Sequence, residues 1–296
     1  MPYEFFITDV FGSAPFSGNQ LATFTAAAGL SGAQMQKIAR EINFSETTFV
    51  EQPAPGRYLV RIFTPAAEVP FAGHPSLGTA HIIREHLIKA PVEKLELQLA
   101  VGPVPISFAA DGLVWMEQPA PSFGAILDSA RLARVLGLRP EQIAADYPCQ
   151  IVSTGLAHVI VPLKDLAALK ACRIARPAYD ELVAATGVSC LLPFCPEPYH
   201  TGHELSVRMF ADAFGIVEDA ATGSGNGCLA AWLVNQRYCG ADSIDLATAQ
   251  GYEIGRPSRL SLKAGRQDGR IRVAVGGRVF ELARGQWTTC QAEGPA

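Results

Sequence analysis

Two stretches of this chain repeat each other. Val60–Leu87 reads VRIFTPAAEVPFAGHPSLGTAHIIREHL, and Val207–Val234 reads VRMFADAFGIVEDAATGSGNGCLAAWLV. Each opens on Val-Arg-(Ile or Met)-Phe, a strand pattern. Each then passes through a turn-rich connector and closes on an apolar helix. Val60 aligns with Val207 and Gly73 with Gly223, so the second connector is three residues longer. A repeat of this size within one chain constrains the fold to two related lobes.

The helix starts carry the chemical interest. Glycines before a helix expose free N–H groups and a partial positive charge, which together hold a carboxylate without any basic side chain. This chain has two such starts, Gly73-His74-Pro75-Ser76 and Thr222-Gly223-Ser224-Gly225-Asn226. Pro75 suits a first helical turn, where its missing N–H costs nothing. The stretches Leu77–Leu87 and Cys228–Gln236 are apolar around most of their circumference, as expected of helices running through the middle of a lobe. Either start alone is also what an ordinary strand-to-helix turn looks like. Two matched copies, each flanked by titratable side chains, point to a site where the lobes face each other.

The order of elements restarts half-way. Strands are expected at Tyr3–Val10, Leu21–Thr25, Asn43–Val50 and Tyr58–Phe63, with Phe16–Gln20 as a turn. Ser31 is placed to cap an amphipathic helix over Gly32–Ile42. A helix over His74–Leu87 precedes strands at Leu95–Ala100, Val104–Phe108 and Leu113–Glu117. Gln118-Pro119-Ala120-Pro121 reads as the link between lobes. Beyond it, helices are expected at Asp128–Leu136, Pro140–Ala145, Lys164–Ala171 and Pro177–Thr186. Strands follow the same spacing at Gln150–Thr154, His158–Pro162 and Val188–Phe194, and again at Leu260–Lys263, Arg270–Val275 and Arg278–Leu282. Many short strands with one long helix per lobe give an α+β pattern: two pseudo-symmetric lobes, each a curled, mostly antiparallel sheet around a central helix. The expected division is 1–117 with 278–296 returning, and 118–277.

Composition removes several classes of function. A net charge of −4 with no run of Lys or Arg argues against nucleic acid. The N-terminus, MPYEFFITDVFG, lacks a basic segment and a long apolar core, and no stretch nears the roughly 18 apolar residues of a membrane span, so a cytoplasmic protein is expected. The seven cysteines are odd in number and none forms C-x-x-C, which suits neither a disulfide framework nor a zinc site. Buried thiols in a reducing compartment are the simplest expectation.

Several residues could carry chemistry. Glu46, inside the strand-forming run NFSETTFV, either faces solvent or is placed for use. Burial would raise its pKa, as a general base working near neutrality needs. Its counterpart in the repeat is Cys190, so the lobes differ there. His74 is a packed or capping histidine or a site residue. Asp219 is a loop cap or a site residue. Ser224, aligned with His74, is an N-cap hydroxyl or a ligand donor. No nucleophile elbow is present. TGSGNG lacks the Lys of a P-loop and the acid expected of a dinucleotide fingerprint.

GNQLATF, NFSETTFV, FTPAAEVPFAGHPSLGTA and VEDAATGSGNG, in this order along the chain, resemble the PhzF-like (phenazine biosynthesis) isomerase family. The resemblance implies a diaminopimelate-epimerase-like fold with the active site in a cleft between the lobes. It implies a cofactor-independent isomerase that moves a proton between carbons of a small cyclic or amino carboxylate, trans-2,3-dihydro-3-hydroxyanthranilate in the best-known member. Carried over by motif, Glu46 is the acid/base, with His74 and Asp219 as polar partners in catalysis. Gly73, Gly223, Ser224 and Asn19 are the substrate-binding residues. No metal is implied, and a homodimer is. Two-thiol racemases of this fold place Cys at both helix starts, where this chain has His74 and Ser224. A one-base epimerase and a non-catalytic carboxylate-binding homologue are the alternatives.

Overall fold

A computed structural model describes residues 2–288, and Cys290 lies outside the described residues. The chain divides into two compact units. The first runs to Met116 and resumes at Arg278; the second is Glu117–Gly277.

The first unit contains β1 (Tyr3–Val10), β2 (Asn19–Phe24), α1 (Gly32–Ile42), β3 (Glu46–Ala54), β4 (Arg57–Phe63), the two-residue β5 (Glu68–Val69) and α2 (Gly73–Ile82). After α2 the helix widens into a π-helical turn, Ile83–Ile88. Strands β6 (Lys94–Leu99), β7 (Gly102–Phe108) and β8 (Val114–Glu117) follow. The second unit contains β9 (Ser122–Leu127), α3 (Ser129–Val135), β10 (Cys149–Ser153), β11 (Ala157–Pro162), α4 (Leu166–Ala171), α5 (Arg176–Thr186), β12 (Cys190–Cys195), β13 (Leu205–Val207), α6 (Gly223–Asn235), β14 (Ser243–Gln250), β15 (Ser258–Gln267) and β16 (Arg270–Gly277). β17 (Val279–Trp287) then returns to the first unit.

The two sheets have the same plan. In the first unit the ladder runs β17–β1–β2–β3–β4–β6–β7–β8. Its pairings are antiparallel, antiparallel, parallel, antiparallel, parallel, antiparallel and antiparallel. In the second unit β9 to β16 pair consecutively with the same series of senses. β17 therefore fills in the first unit the place that β9 fills in the second. The registers agree as well. Leu21 pairs with Glu46 as His158 pairs with Cys190, and Thr47 pairs with Phe63 as Leu191 bridges to Phe210.

Each sheet curls round its helix. α2 packs on β1, β2, β3, β6, β7 and β17, and α6 packs on β10, β11, β12, β14, β15 and β16. The sequence of the helices requires this. In α2 every residue but His81 is buried, and in α6 every residue from Gly223 to Val234 is buried. Such helices are stable only with protein on all sides. The outer helices obey the amphipathic rule instead. α1 buries Met35, Ile38 and Ala39 against a core that includes Phe24, Phe49 and Phe63. Phe24 stacks on Phe49 at 5.1 Å, and Phe63 meets Phe49 edge-on at 5.5 Å. Burial of each such ring contributes about 1.5–3 kcal/mol. Ser31 caps α1 in a reciprocal box with Gln34, worth about 1 kcal/mol. No helix among the described residues is long and apolar enough to cross a membrane.

Several element boundaries differ from those the sequence suggests. Asn43 does not open a strand. It closes α1 in the left-handed region at φ 56°, a conformation Asn tolerates. Glu46 consequently begins β3 instead of interrupting it. Asn19 and Gln20 belong to β2, not to the preceding turn. α2 starts at Gly73 and α6 at Gly223, because glycine-rich turns adopt helical geometry once the surrounding strands enclose them. Pro140–Ala145 is only a 3₁₀ turn, Pro140–Gln142. β9 and β14 are strands without a strong alternating pattern, and neither is evident from sequence. Gln118 is no free linker: it is buried, and its N–H donates to Val273 O.

Gly78 of α2 aligns with Cys228 of α6. A Cβ at Gly78 would lie 2.6 Å from Leu21 Cδ2 and 2.9 Å from Val10 Cγ2. Alanine favours a helix by about 0.8–1 kcal/mol, but overpacking costs about 1–3 kcal/mol. Gly78→Ala is therefore expected to lower the denaturant midpoint despite the better helix propensity. A raised midpoint would mean that β1 and β2 yield freely.

Candidate active site

In the first unit, the start of β3, the start of β2 and the first turn of α2 bring four side chains and backbone groups together. His74, the second residue of α2, is buried. Its Nε2 lies 3.4 Å from Glu46 Oε2, and its Nδ1 lies 3.3 Å from the amide nitrogen of Asn19. Asn19 Nδ2 and the Gln20 backbone both lie against the ring, which fixes its position between the start of β2 and Glu46. Burial pushes the His74 pKa down to about 3, opposed only in part by a hydrogen bond with the Gln20 backbone. The ring is thus neutral at pH 7 and does not pin the carboxylate in an ion pair. The Glu46 side chain keeps 14% of its surface exposed, so it is reachable from solvent.

The loop before Asn19 is tightly held. Asp9 Oδ2 accepts from Phe16 N–H at 2.7 Å, and Ser17 Oγ accepts from Ser13 N–H at 3.0 Å and Ala14 N–H at 3.1 Å. Gly18 has φ +80°, and a Cβ there would lie 2.4 Å from Val10 O. Only glycine satisfies both conditions, and that turn delivers Asn19 to His74.

In the second unit the segment Glu218–Asn226 is fixed by a buried polar network. Asp219 N–H donates to Met209 O at 3.0 Å. Asp219 Oδ2 accepts from Thr222 Oγ1 at 2.6 Å, which ties the carboxylate to the N-cap residue of α6. Gln250 Nε2 donates to Asp219 O (2.9 Å) and to Thr222 Oγ1 (3.0 Å). Its Oε1 accepts from Thr222 N–H and Asn226 Nδ2. Asn226 Oδ1 accepts from Thr248 Oγ1 at 2.6 Å. A buried network with its partners in place rigidifies a segment. Gln250 and Thr248 were not evident from sequence because β14, which carries them, was not.

Ser224 is the second residue of α6, so it is not the N-cap; Thr222 is. His74 likewise follows Gly73, and the N-cap of α2 is Ala72. Neither N-cap makes a side-chain capping bond among the described residues. Both helix starts therefore keep backbone N–H groups suited to a carboxylate. Asn19, Glu46, Gly73 and His74 gather in the first unit, and Asp219, Gly223 and Ser224 in the second.

The thiols are placed differently. Cys228 lies beside Thr154 Oγ1 (3.5 Å), Leu156 O (3.5 Å) and His158 Nδ1 (3.7 Å). Burial raises its pKa to about 11 and lowers that of His158 to about 4, so both groups are neutral. A neutral thiol is a poor nucleophile and base. Cys190 is likewise buried and pushed up to about 12. Cys239 is exposed, contrary to the expectation of uniformly buried thiols. It lies beyond the end of α6, where the chain turns out to the surface.

The profile of the phenazine biosynthesis-like protein family, PhzC-PhzF, matches residues 8–285. The chain belongs to the PhzC-PhzF family. It is 37% identical to a trans-2,3-dihydro-3-hydroxyanthranilate isomerase of Pseudomonas chlororaphis, an alignment covering 96% of this chain and 98% of that one. A predicted epimerase from Pseudomonas aeruginosa is 32% identical with a TM-score of 0.83, covering 97% and 100% of the two chains. A PhzF-family protein from Bacillus anthracis has the same fold, with a TM-score of 0.89 at 24% identity over 97% and 99%. As a PhzF-family member the chain is an enzyme of the isomerase class.

Two outcomes follow for the second unit. The unfolded chain protonates His158 as pH falls through about 6.5, while the folded ring resists until about 4. The stabilising contribution is thus full above pH 6.5 and lost as pH drops towards 4. In His158→Gln the slope of unfolding free energy against pH in this window should shrink by about one proton, whatever the variant's absolute stability. An unchanged slope would mean the ring charges inside the fold. Native alkylation mapped by mass spectrometry should label Cys239 well before Cys149, Cys172, Cys190, Cys195 or Cys228. Early labelling of Cys190 or Cys228 would restore the case for thiol chemistry.

Proposed function

We propose that this protein isomerises a small cyclic or amino carboxylate related to trans-2,3-dihydro-3-hydroxyanthranilate, with Glu46 as the single acid/base. The observation that supports this most is the Glu46–His74–Asn19 arrangement: a partly exposed carboxylate beside a neutral, oriented imidazole at an uncapped helix start. In this mechanism Glu46 takes a proton from a carbon made acidic by an adjacent conjugated system and returns it to another carbon on the same face. The double bond shifts, and the carboxylate ends as it began. One base suffices because both transfers use one carboxylate. The neutral His74 ring packs beside Glu46, its Nε2 3.4 Å from Oε2, and lines the carboxylate's surroundings. By the family's motifs, Asn19 and Gly73 of the first unit and Asp219, Gly223 and Ser224 of the second are the residues that offer polar groups to the substrate. Every proton moves through side chains, and no metal or organic cofactor is called upon.

The relative named as a predicted epimerase gives the alternative: one-base inversion at carbon. Turnover in D2O separates the two. Deuterium at carbon with a double-bond shift supports isomerisation, exchange with inversion supports epimerisation, and binding without exchange supports a non-catalytic homologue. Glu46→Gln preserves shape and removes the titrating oxygen. Its turnover should fall by roughly 10² to 10⁴, with ligand affinity nearly unchanged. Glu46→Asp should also be slow, since a displacement of about 1 Å can cost on the order of 10². Normal turnover by Glu46→Gln would exclude it as the shuttle and leave His74 or Asp219 as the candidate base.

A further inference from the structure

The repeated strand carries an arginine in both copies, Arg61 and Arg208, and each connector carries a glutamate five residues before the helix-start glycine, Glu68 and Glu218. The two pairs close with the same atoms. Arg61 Nε and Nη2 donate to Glu68 Oε1 and Oε2, both at 2.7 Å. Arg208 Nε and Nη2 donate to Glu218 Oε1 and Oε2 at 3.0 and 2.6 Å. A bidentate fork of this kind fixes geometry as well as charge.

The surroundings of the two forks differ. The side chains of Arg61 and Glu68 are 39% and 41% exposed, and those of Arg208 and Glu218 are 4% and 6% exposed. In the second unit the free arm of the guanidinium, Nη1, donates to Leu169 O, Lys170 O and Cys172 O, carbonyls at the end of α4. Glu253 Oε2 lies 3.8 Å from Nε, and Tyr199 OH donates to the other oxygen of Glu253. Arg208 is thus anchored to a second element before it grips Glu218. The next residue is Asp219, whose N–H is bound by Met209, the residue after Arg208. In the first unit the residue after the glutamate is Val69.

We propose that Arg208 and Glu218 are positioning residues that fix Asp219 for the substrate, a role the exposed Arg61–Glu68 pair does not have. This rests on the isomerase function proposed above, in which Asp219 meets the substrate. The clamp and the buried amide network hold Asp219 from opposite ends. Glu218 is gripped on one side, and Thr222 and Gln250 bind on the other.

The test compares Glu218→Gln and Arg208→Lys with Glu68→Gln, using trans-2,3-dihydro-3-hydroxyanthranilate and the full chain. Rates are taken per folded molecule. Glu218→Gln and Arg208→Lys should lose about 10- to 100-fold in kcat/KM, the range for misplacement of about 1 Å. Glu68→Gln should stay within about twofold. In an Asp219→Asn background the added loss from Glu218→Gln should nearly vanish, because residues acting through one group are not additive. Additive losses would indicate a merely structural pair and overturn the proposal, as would wild-type kinetics in Glu218→Gln. Should Glu218→Gln fail to fold, Arg208→Lys carries the same cycle. Amide exchange gives a readout independent of activity. Protection at Asp219 and Thr222 should drop in either clamp variant and not in Glu68→Gln. If the wild-type protein does not turn this compound over, the substrate assignment fails on its own; unchanged protection at those two amides would still overturn the clamp.

Discussion

The structure depends on burying two helices on every side. A helix apolar around its circumference is stable only when a sheet curls to meet it, and each sheet here does so with strands from both ends of its ladder. Enclosure has a polar consequence. Side chains on such a helix that carry hydroxyl or amide groups need partners from the surrounding strands. In the first unit Thr79 donates to Thr48, which donates to Thr23. In the second, Asn226 meets Thr222, Thr248 and Gln250. At the helix starts the backbone N–H groups have no intrahelical acceptor, and in the first unit the starts of β2 and β3 bring Asn19 and Glu46 beside His74 there.

Duplication supplied two equivalent frameworks, and the residues placed on them have diverged. Glu46 stands where the second unit has Cys190, His74 where it has Ser224, and Gly78 where it has Cys228. Leu21 stands where it has His158. The first unit thus presents a partly exposed carboxylate beside a neutral ring. The second buries its imidazole and thiols so deeply that both stay neutral. Desolvation marks the second unit: it keeps the Cys190 and Cys228 thiols neutral and removes them from acid–base work. The arginine–glutamate forks diverged in the same manner, one left in solvent and one enclosed at the segment that carries Asp219.

Much of this was legible in the chain itself. Ser31 with Gln34 marked the start of α1, since both halves of a capping box are local. The repeated Val-Arg-(Ile or Met)-Phe and the glycine turns marked equivalent strands and helices. Other features were not legible because they depend on pairing. SFGAIL and SIDLATAQ show little alternation and become β9 and β14 only because a neighbouring strand supplies their hydrogen bonds. Phe44, Thr47 and Thr48 favour a strand from Asn43 onward, but the left-handed turn that ends α1 at Asn43 overrides that preference.

The sequence by itself determined the two-fold repetition, the family, the apolar helices and the residue types available for proton transfer, since periodicity, spacing and motif are properties of a linear string. Only the tertiary structure decided that β17 fills the place of β9, that Gln250 and Thr248 bind the Thr222–Asn226 turn, and that Arg208 grips Glu218 out of contact with water while Arg61 grips Glu68 within it. These outcomes depend on which distant strands meet and how completely they exclude solvent. Burial then sets the protonation state of His74, His158 and the thiols, and a residue's burial is a property of its neighbours in space.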